Sequence, residues 1–175
     1  MRVIAGEFRS RVLKSLPGLD VRPTPDRLRE ALFSILSPRI AGAVFVDFYA
    51  GTGAVGIEAL SRGAERAIFV ENNQDALEVI RQNLKSLGLE NRGRVWQGRA
   101  SNAISKIGAV DIAFLDPPYP LEQEYEKALT ALADDPPGLV IAQHASRFAL
   151  QETYGALKRT RTLKQGDNTL SFFGA

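Results

Sequence analysis

The sequence predicts an α/β protein: a mostly parallel sheet with helices on both faces, preceded by a short N-terminal β-hairpin and a helix. Three observations predict it. From residue 44 onward, short apolar runs alternate with amphipathic stretches of helical period. The first apolar run ends in a glycine-rich turn that opens onto a helix. A chain of 175 residues, 45% apolar and 24% charged, also has the size and composition for a real core without a covalent staple.

Taken in order, residues 2–16 set Val3, Ala5, Phe8, Val12, Leu13 and Leu16 around Gly6 among basic residues, which suggests a short basic hairpin ended by Pro17-Gly18. Thr24-Pro25 has the residue types of a helix start, a capping hydroxyl before a proline whose missing N–H is harmless there. Leu28, Ala31, Leu32, Ile35 and Leu36 then recur at i, i+3, i+4, i+7 and i+8, and Pro38 is expected to stop the helix. Residues 1–39 therefore read as a basic appendage, with 40–175 as the main domain. Strands are expected at 44–48, 67–71, 94–97, 110–115 and 138–143, with helices at 54–62, 101–106 and about 122–133 between them. The helix after the second strand carries Leu77, Ile80, Leu84 and Leu87 on one face and closes at Gly88. Residues 157–163 and 168–173, around Gly166-Asp167, read as a hairpin.

Charge is uneven. Residues 1–39 hold eight Arg or Lys against four acids, 40–143 nine against fourteen, and 144–175 five against two. Two basic ends around an acidic middle suit a polyanion that touches the ends. The absence of cysteine excludes disulfides, thiolate metal ligands and cysteine nucleophiles, and one histidine excludes a multi-histidine zinc site, so no metal is expected. No apolar run reaches membrane-spanning length, so a soluble, cytoplasmic, monomeric protein without membrane contact is expected.

Gly51-Thr52-Gly53-Ala54-Val55-Gly56 fits the G-x-G-x-x-G pattern in its strand–loop–helix setting, and Glu71 lies 20 residues beyond Gly51 at the end of the next strand. A carboxylate there can take two ribose hydroxyls. A dinucleotide would put its pyrophosphate on the helix N-terminus, but Asp47 sits close by and would repel it. An ammonium group suits Asp47 better. S-adenosylmethionine offers that ammonium, a carboxylate for the loop amides and a ribose for Glu71. An NAD-dependent oxidoreductase is the competing reading of this loop.

Asp116-Pro117-Pro118-Tyr119 follows an apolar strand. Consecutive prolines stiffen the turn and remove two donors, leaving carbonyls as acceptors. Asp116 and the Pro117 carbonyl can accept both hydrogens of a planar exocyclic amine. That favours the pyramidal, nucleophilic nitrogen and stabilises its developing positive charge. Tyr119 can stack on a base. Adenine N6, cytosine N4 and protein glutamine present the same planar NH₂, so the tetrapeptide alone leaves the amine open.

With these motifs the chain resembles the class I adenosylmethionine-dependent methyltransferases that modify exocyclic amines. Arg2-Val3-Ile4-Ala5-Gly6, Leu13-Lys14 and the run from Arg22-Pro23-Thr24-Pro25 to Phe33 narrow the resemblance. They resemble the bacterial guanine-N2 methyltransferases of small-subunit ribosomal RNA. The similarity extends to Gly166-Asp167-Asn168-Thr169 and Phe172-Phe173. It implies a Rossmann-like, seven-stranded sheet with its last strand antiparallel, and a basic N-terminal hairpin that engages RNA. It also implies a guanine in an assembling 30S particle as substrate. By position, Asp47, Gly51 and Gly53 would hold the methionine end of the cofactor and Glu71 its ribose. Tyr49, Ala50, Thr52, Asn72, Arg99 and Ala100 complete the expected cofactor set, and Asp116, Pro117, Pro118 and Tyr119 the base site. Arg9, Arg11, Lys14, Arg22, Arg27 and Arg29 are the expected RNA contacts, the last three also being candidates for ion pairs with Asp26 and Glu30. Two departures stand out: Gly98-Arg99-Ala100 replaces an acidic or amide residue after the third strand, and Gln143-His144 stands where the family often has Glu-His. His144 reads as a polar strand-end residue, Trp96 as core and Glu58 as solvent-facing.

Overall fold

Apolar spacing in the first forty residues decides how the chain starts to pack. In the computed structural model, which describes residues 1–17, 24–118 and 121–175, helix α1 (Asp26–Ile40) turns Leu28, Leu32, Phe33, Leu36 and Ile40 into the interior. Thr24 does not cap it. Pro25 holds the N-cap position without a side-chain bond, and the Thr24 hydroxyl donates instead to Gln143 Oε1 at 3.4 Å. Pro38 does not stop it: a proline in the last turn forfeits one backbone bond, while the buried Ile40 still anchors that turn.

The N-terminal arm is pinned to helix α2 (Ala54–Ser61) more than paired with itself. Among the described residues one isolated bridge, Arg2 with Val12, is what the expected hairpin amounts to. Ile4 and Ala5 donate their amides to the Glu58 carboxylate at 2.8 and 3.4 Å, and Phe8 donates to Ser61 Oγ at 3.0 Å. Glu58 is therefore fully buried, contrary to the solvent-facing expectation, because it accepts amides that would otherwise lie unsatisfied. Arg29 is also fully buried, paired with Asp26 at 3.0 Å and donating to the Arg2 carbonyl at 2.6 Å. A guanidinium with no exposed surface cannot meet a phosphate, which removes Arg29 from the RNA-facing set. Arg22 lies outside the described residues.

Strands β1 (Val44–Asp47), β2 (Arg66–Glu71), β3 (Gly93–Gln97), β4 (Ile112–Leu115) and β5 (Leu139–Ala145) run parallel in the order β3-β2-β1-β4-β5. β8 (Asn168–Gly174) lies antiparallel against β5, followed outward by β7 (Leu157–Gln165) and β6 (Thr153–Tyr154). Among the described residues the sheet thus has eight strands where seven are expected. The added one is the two-residue β6, too short for sequence periodicity to signal. β4 begins two residues later than expected, and just before it the Asp111 carboxylate accepts the Val44 amide at 2.8 Å.

Helices α1, α2 and α3 (Gln74–Ser86) cover one face of the sheet, α4 (Ala100–Ala103) and α5 (Gln123–Leu132) the other. Val3 and Leu13 from the arm and the stripe of α1 share one core with Phe45, Leu60 and Phe172. Helix α2 lies on β2 at glycine distance: a Cβ on Gly56 would stand 2.3 Å from Phe69 Cε1. Trp96 is half-buried, with the Arg94 guanidinium 5.1 Å from its ring centre. Among the described residues no helix is long and apolar enough to cross a membrane.

Candidate active site

Between β1 and β4 the strand order reverses direction, and open α/β sheets bind ligands outside the strand ends at such a point. Asp47 ends β1, Glu71 ends β2 and Asp116 follows β4, so three neighbouring strands each bring a carboxylate to one cleft of about 1150 Å³. Typical small-molecule sites run from about 300 to 1000 Å³, so this cleft has room for a nucleoside and a second planar group.

Asp47 is almost completely buried and accepts the Tyr49 amide at 3.1 Å. Burial, helped by the nearby charges of Asp116 and Glu71, raises its pKa to about 8 against that hydrogen bond. Burial likewise raises Asp116 to about 7. Among the described residues none of the three carboxylates forms an ion pair. An acidic floor without a counter-ion favours a ligand that carries positive charge.

Gly51 and Gly53, both at positive φ, turn the chain from β1 into α2. Their amides are already spent, Gly51 N–H on Glu71 Oε2 at 2.7 Å and Gly53 N–H on the Ala50 carbonyl at 2.8 Å. Gly53 itself does not line the cleft, whereas Ala54 and Val55, in the first turn of α2, do. Glu71 Oε1 takes the Asn72 and Asn73 amides at 3.0 Å each. The Thr52 carbonyl accepts from Asn83 Nδ2 at 3.1 Å. The same buried amide accepts the Lys14 N–H at 2.7 Å and donates to the Lys14 carbonyl at 3.2 Å.

Of the expected cofactor residues, Asp47, Tyr49, Ala50, Gly51 and Thr52 line the cleft from β1 and its loop. Glu71 and Asn72 line it from β2, and Arg99 and Ala100 from the start of α4. Asp116, Pro117 and Pro118 line it from β4, and Tyr119 lies outside the described residues. The Pro118 carbonyl accepts the Leu121 amide at 2.9 Å, while no described residue donates to the Pro117 carbonyl. Arg9, Arg11, Lys14 and Arg27 are exposed, Arg11 reaching the Ser86 carbonyl at 3.1 Å and Lys14 Nζ the Gln82 amide oxygen at 3.0 Å.

Several lining residues escape sequence reasoning. Glu124, in the first turn of α5, accepts from the Tyr49 hydroxyl at 3.2 Å, and Met1, Leu16 and Thr24 bring the arm to the cleft wall. Only an odd acidic residue beside the tetrapeptide could have hinted at Glu124. No local pattern marks the arm. His144 also lines the cleft, but its ring is committed: Nδ1 lies 2.9 Å from the Phe148 carbonyl and Nε2 2.8 Å from Ser171 Oγ. Burial lowers its pKa and keeps it neutral. Among the described residues no group of three His, Cys, Asp or Glu could hold a metal ion.

Comparison with known proteins adds to this geometry. Residues 1–174 match the family described as conserved hypothetical protein 95. "Putative rRNA methyltransferase YlbH" of Bacillus subtilis is 37% identical over 170 residues, covering 92% of this chain and 91% of that protein. "Ribosomal RNA small subunit methyltransferase D" of Escherichia coli is 38% identical over 120 residues, covering 68% of this chain and 60% of that one. Among solved structures, "Putative methyltransferase yhhF" from Escherichia coli superposes with a TM-score of 0.86 at 27% identity, covering 100% of this chain and 98% of that one.

Proposed function

The chain belongs to the conserved hypothetical protein 95 family, that of the small-subunit rRNA methyltransferase D enzymes, and from that premise we propose that it methylates the exocyclic N2 amine of one guanine in small-subunit ribosomal RNA, with S-adenosylmethionine as donor. An assembling 30S particle is its substrate and it acts as a monomer in the cytoplasm. The observation that carries this reading is the cleft at the β1–β4 reversal, floored by Asp47, Glu71 and Asp116, none of which forms an ion pair among the described residues.

The residues present fit the donor. When bound, it supplies a methyl group made electrophilic by a positively charged sulfur. Asp47 would take its ammonium, an exchange in which the buried carboxyl gives up its proton for a cation. Glu71, with three of its roughly four acceptor sites already taken, would take a ribose hydroxyl with the one that remains. Because the Gly51 and Gly53 amides are spent, the first-turn amides of α2 at Ala54 and Val55 are donors that remain for the carboxylate end.

Asp116 and the Pro117 carbonyl would accept the two N–H bonds of the target amine. A carboxylate in this position stabilises the positive charge that grows on nitrogen during attack, and the stiff proline turn holds it there without reorganisation. No general base is required before transfer; the proton can leave afterwards through Asp116, whose raised pKa suits it to hold one near neutrality. His144, with both ring nitrogens engaged, takes no part.

The test is transfer of a labelled methyl group to free small-subunit rRNA, immature 30S particles and DNA, followed by mass analysis of the nucleosides. N2-methylguanosine from the particle is the expected product. Label in N6-methyladenosine or N4-methylcytosine instead would overturn the guanine assignment.

A further inference from the structure

We propose that the outer edge of β7 is a docking track for RNA phosphates, leading away from the cleft and holding the strand that carries the target nucleotide; the inference rests on the proposed RNA substrate. β7 carries Lys158, Arg159, Arg161 and Lys164 and no acidic residue. Arg159 is neutralised by Glu152. Lys158, Arg161 and Lys164 are exposed, and none has an ion-pair partner among the described residues.

The edge is open as well as basic. β6 pairs only with Leu157 and Lys158, and the Arg159 amide goes to the Glu152 carbonyl at 2.8 Å. From Thr160 to Gln165 no strand lies beside β7 on that side among the described residues, so its outward backbone amides join the cations as donors to phosphate oxygens.

Register ties this edge to the cleft. Lys164 stands opposite Thr169, and Thr169 opposite His144, a residue of the cleft wall. Two strand spacings, about 10 Å, separate Lys164 from β5. From there to Lys158 the strand rises about 20 Å, long enough to follow several phosphates. Meanwhile the exposed Arg9, Arg11 and Lys14 belong to the arm, which packs on the α2–α3 side of the sheet. An RNA strand with one base in the cleft would then find exposed cations on both flanks.

Charged edge strands also protect a sheet from pairing with a second copy. The two roles separate under charge reversal, because glutamate guards an edge as well as lysine does but repels a phosphate. The experiment compares wild type with Lys158→Glu/Arg161→Glu/Lys164→Glu, using immature 30S particles as the RNA substrate. The variant is expected to raise the KM for RNA on the order of tenfold or more and to reduce the salt slope of binding by about two to three. Its affinity for adenosylhomocysteine and its kcat at saturating RNA should match wild type. Unchanged KM and salt slope in the folded variant overturn the track, as does a wild-type dimer that the variant turns into a monomer at unaltered RNA affinity. Should the triple variant fail to fold, the single neutral changes Arg161→Gln and Lys164→Gln carry the same test, each expected to remove close to one ion from the slope. Failure of the substrate reading shows separately, as a wild type that binds adenosylhomocysteine yet methylates no rRNA.

Discussion

Asp47 and Asp116 are the residues whose chemistry is most open to measurement. Asp47 holds its proton to about pH 8 in the folded chain, against 3.8 ordinarily, so the native state binds a proton that the unfolded state has released. Stability from this group is present below pH 4 and is lost as pH rises towards 8. The melting temperature of the free protein should therefore fall between pH 5 and 8, less steeply in Asp47→Asn. A ligand cation that needs the ionised carboxylate binds with the opposite trend. Calorimetry should show affinity for adenosylhomocysteine rising by up to about tenfold per pH unit below 8, with proton release to buffer. Asp116→Ala should cost about 10²–10³ in turnover with adenosylhomocysteine affinity nearly intact, as read by single-turnover kinetics; wild-type turnover would remove it from the reaction. Glu71→Ala should do the reverse, weakening adenosylhomocysteine binding without lowering RNA affinity, which a filter-binding titration checks. These carboxylates were legible in the sequence because alternation of strands and helices puts the residue after each apolar run at a strand tip. The pairing of Arg29 with Asp26 was legible too, at three residues' spacing, but the burial of Glu58 and Arg29 was not, since the backbone groups they bind lie far along the chain.

At the scale of elements, helix α2 joins the two ends of the story. Its N-terminus faces the cleft, its Gly56 lets it settle on Phe69, and its Glu58 and Ser61 hold the N-terminal arm. Glu58→Ala leaves the Ile4 and Ala5 amides without their acceptor and the Arg62 guanidinium without its ion-pair partner at 3.8 Å. The expected loss is about 3 kcal/mol of stability in denaturant unfolding, together with faster proteolysis of the arm. The strands and helices of residues 44–143 were readable from period alone, within a few residues at each end. The arm was not: its alternation suggested strands that pair with each other, while its amides found better acceptors on a helix. A lone glutamate in Ala-Val-Gly-Ile-Glu-Ala-Leu-Ser was the available sign that α2 has no solvent face.

For the whole molecule, the resemblance supplies the antiparallel close; sequence pattern itself yields the parallel sheet and the closing hairpin, because each follows from local spacing. It misses how the first residues complete the cleft, since Met1, Leu16 and Thr24 reach the wall only once α1 and the arm have packed into the same core as β1. Asn83 gives that packing a measurable consequence. One side-chain amide holds both backbone groups of Lys14 and the carbonyl of Thr52, so the arm and the glycine loop share a fastening neither can loosen alone. Deuterium uptake at the Lys14 amide should accordingly slow when the distant nucleoside pocket fills, turning one peptide proton into a remote gauge of occupancy.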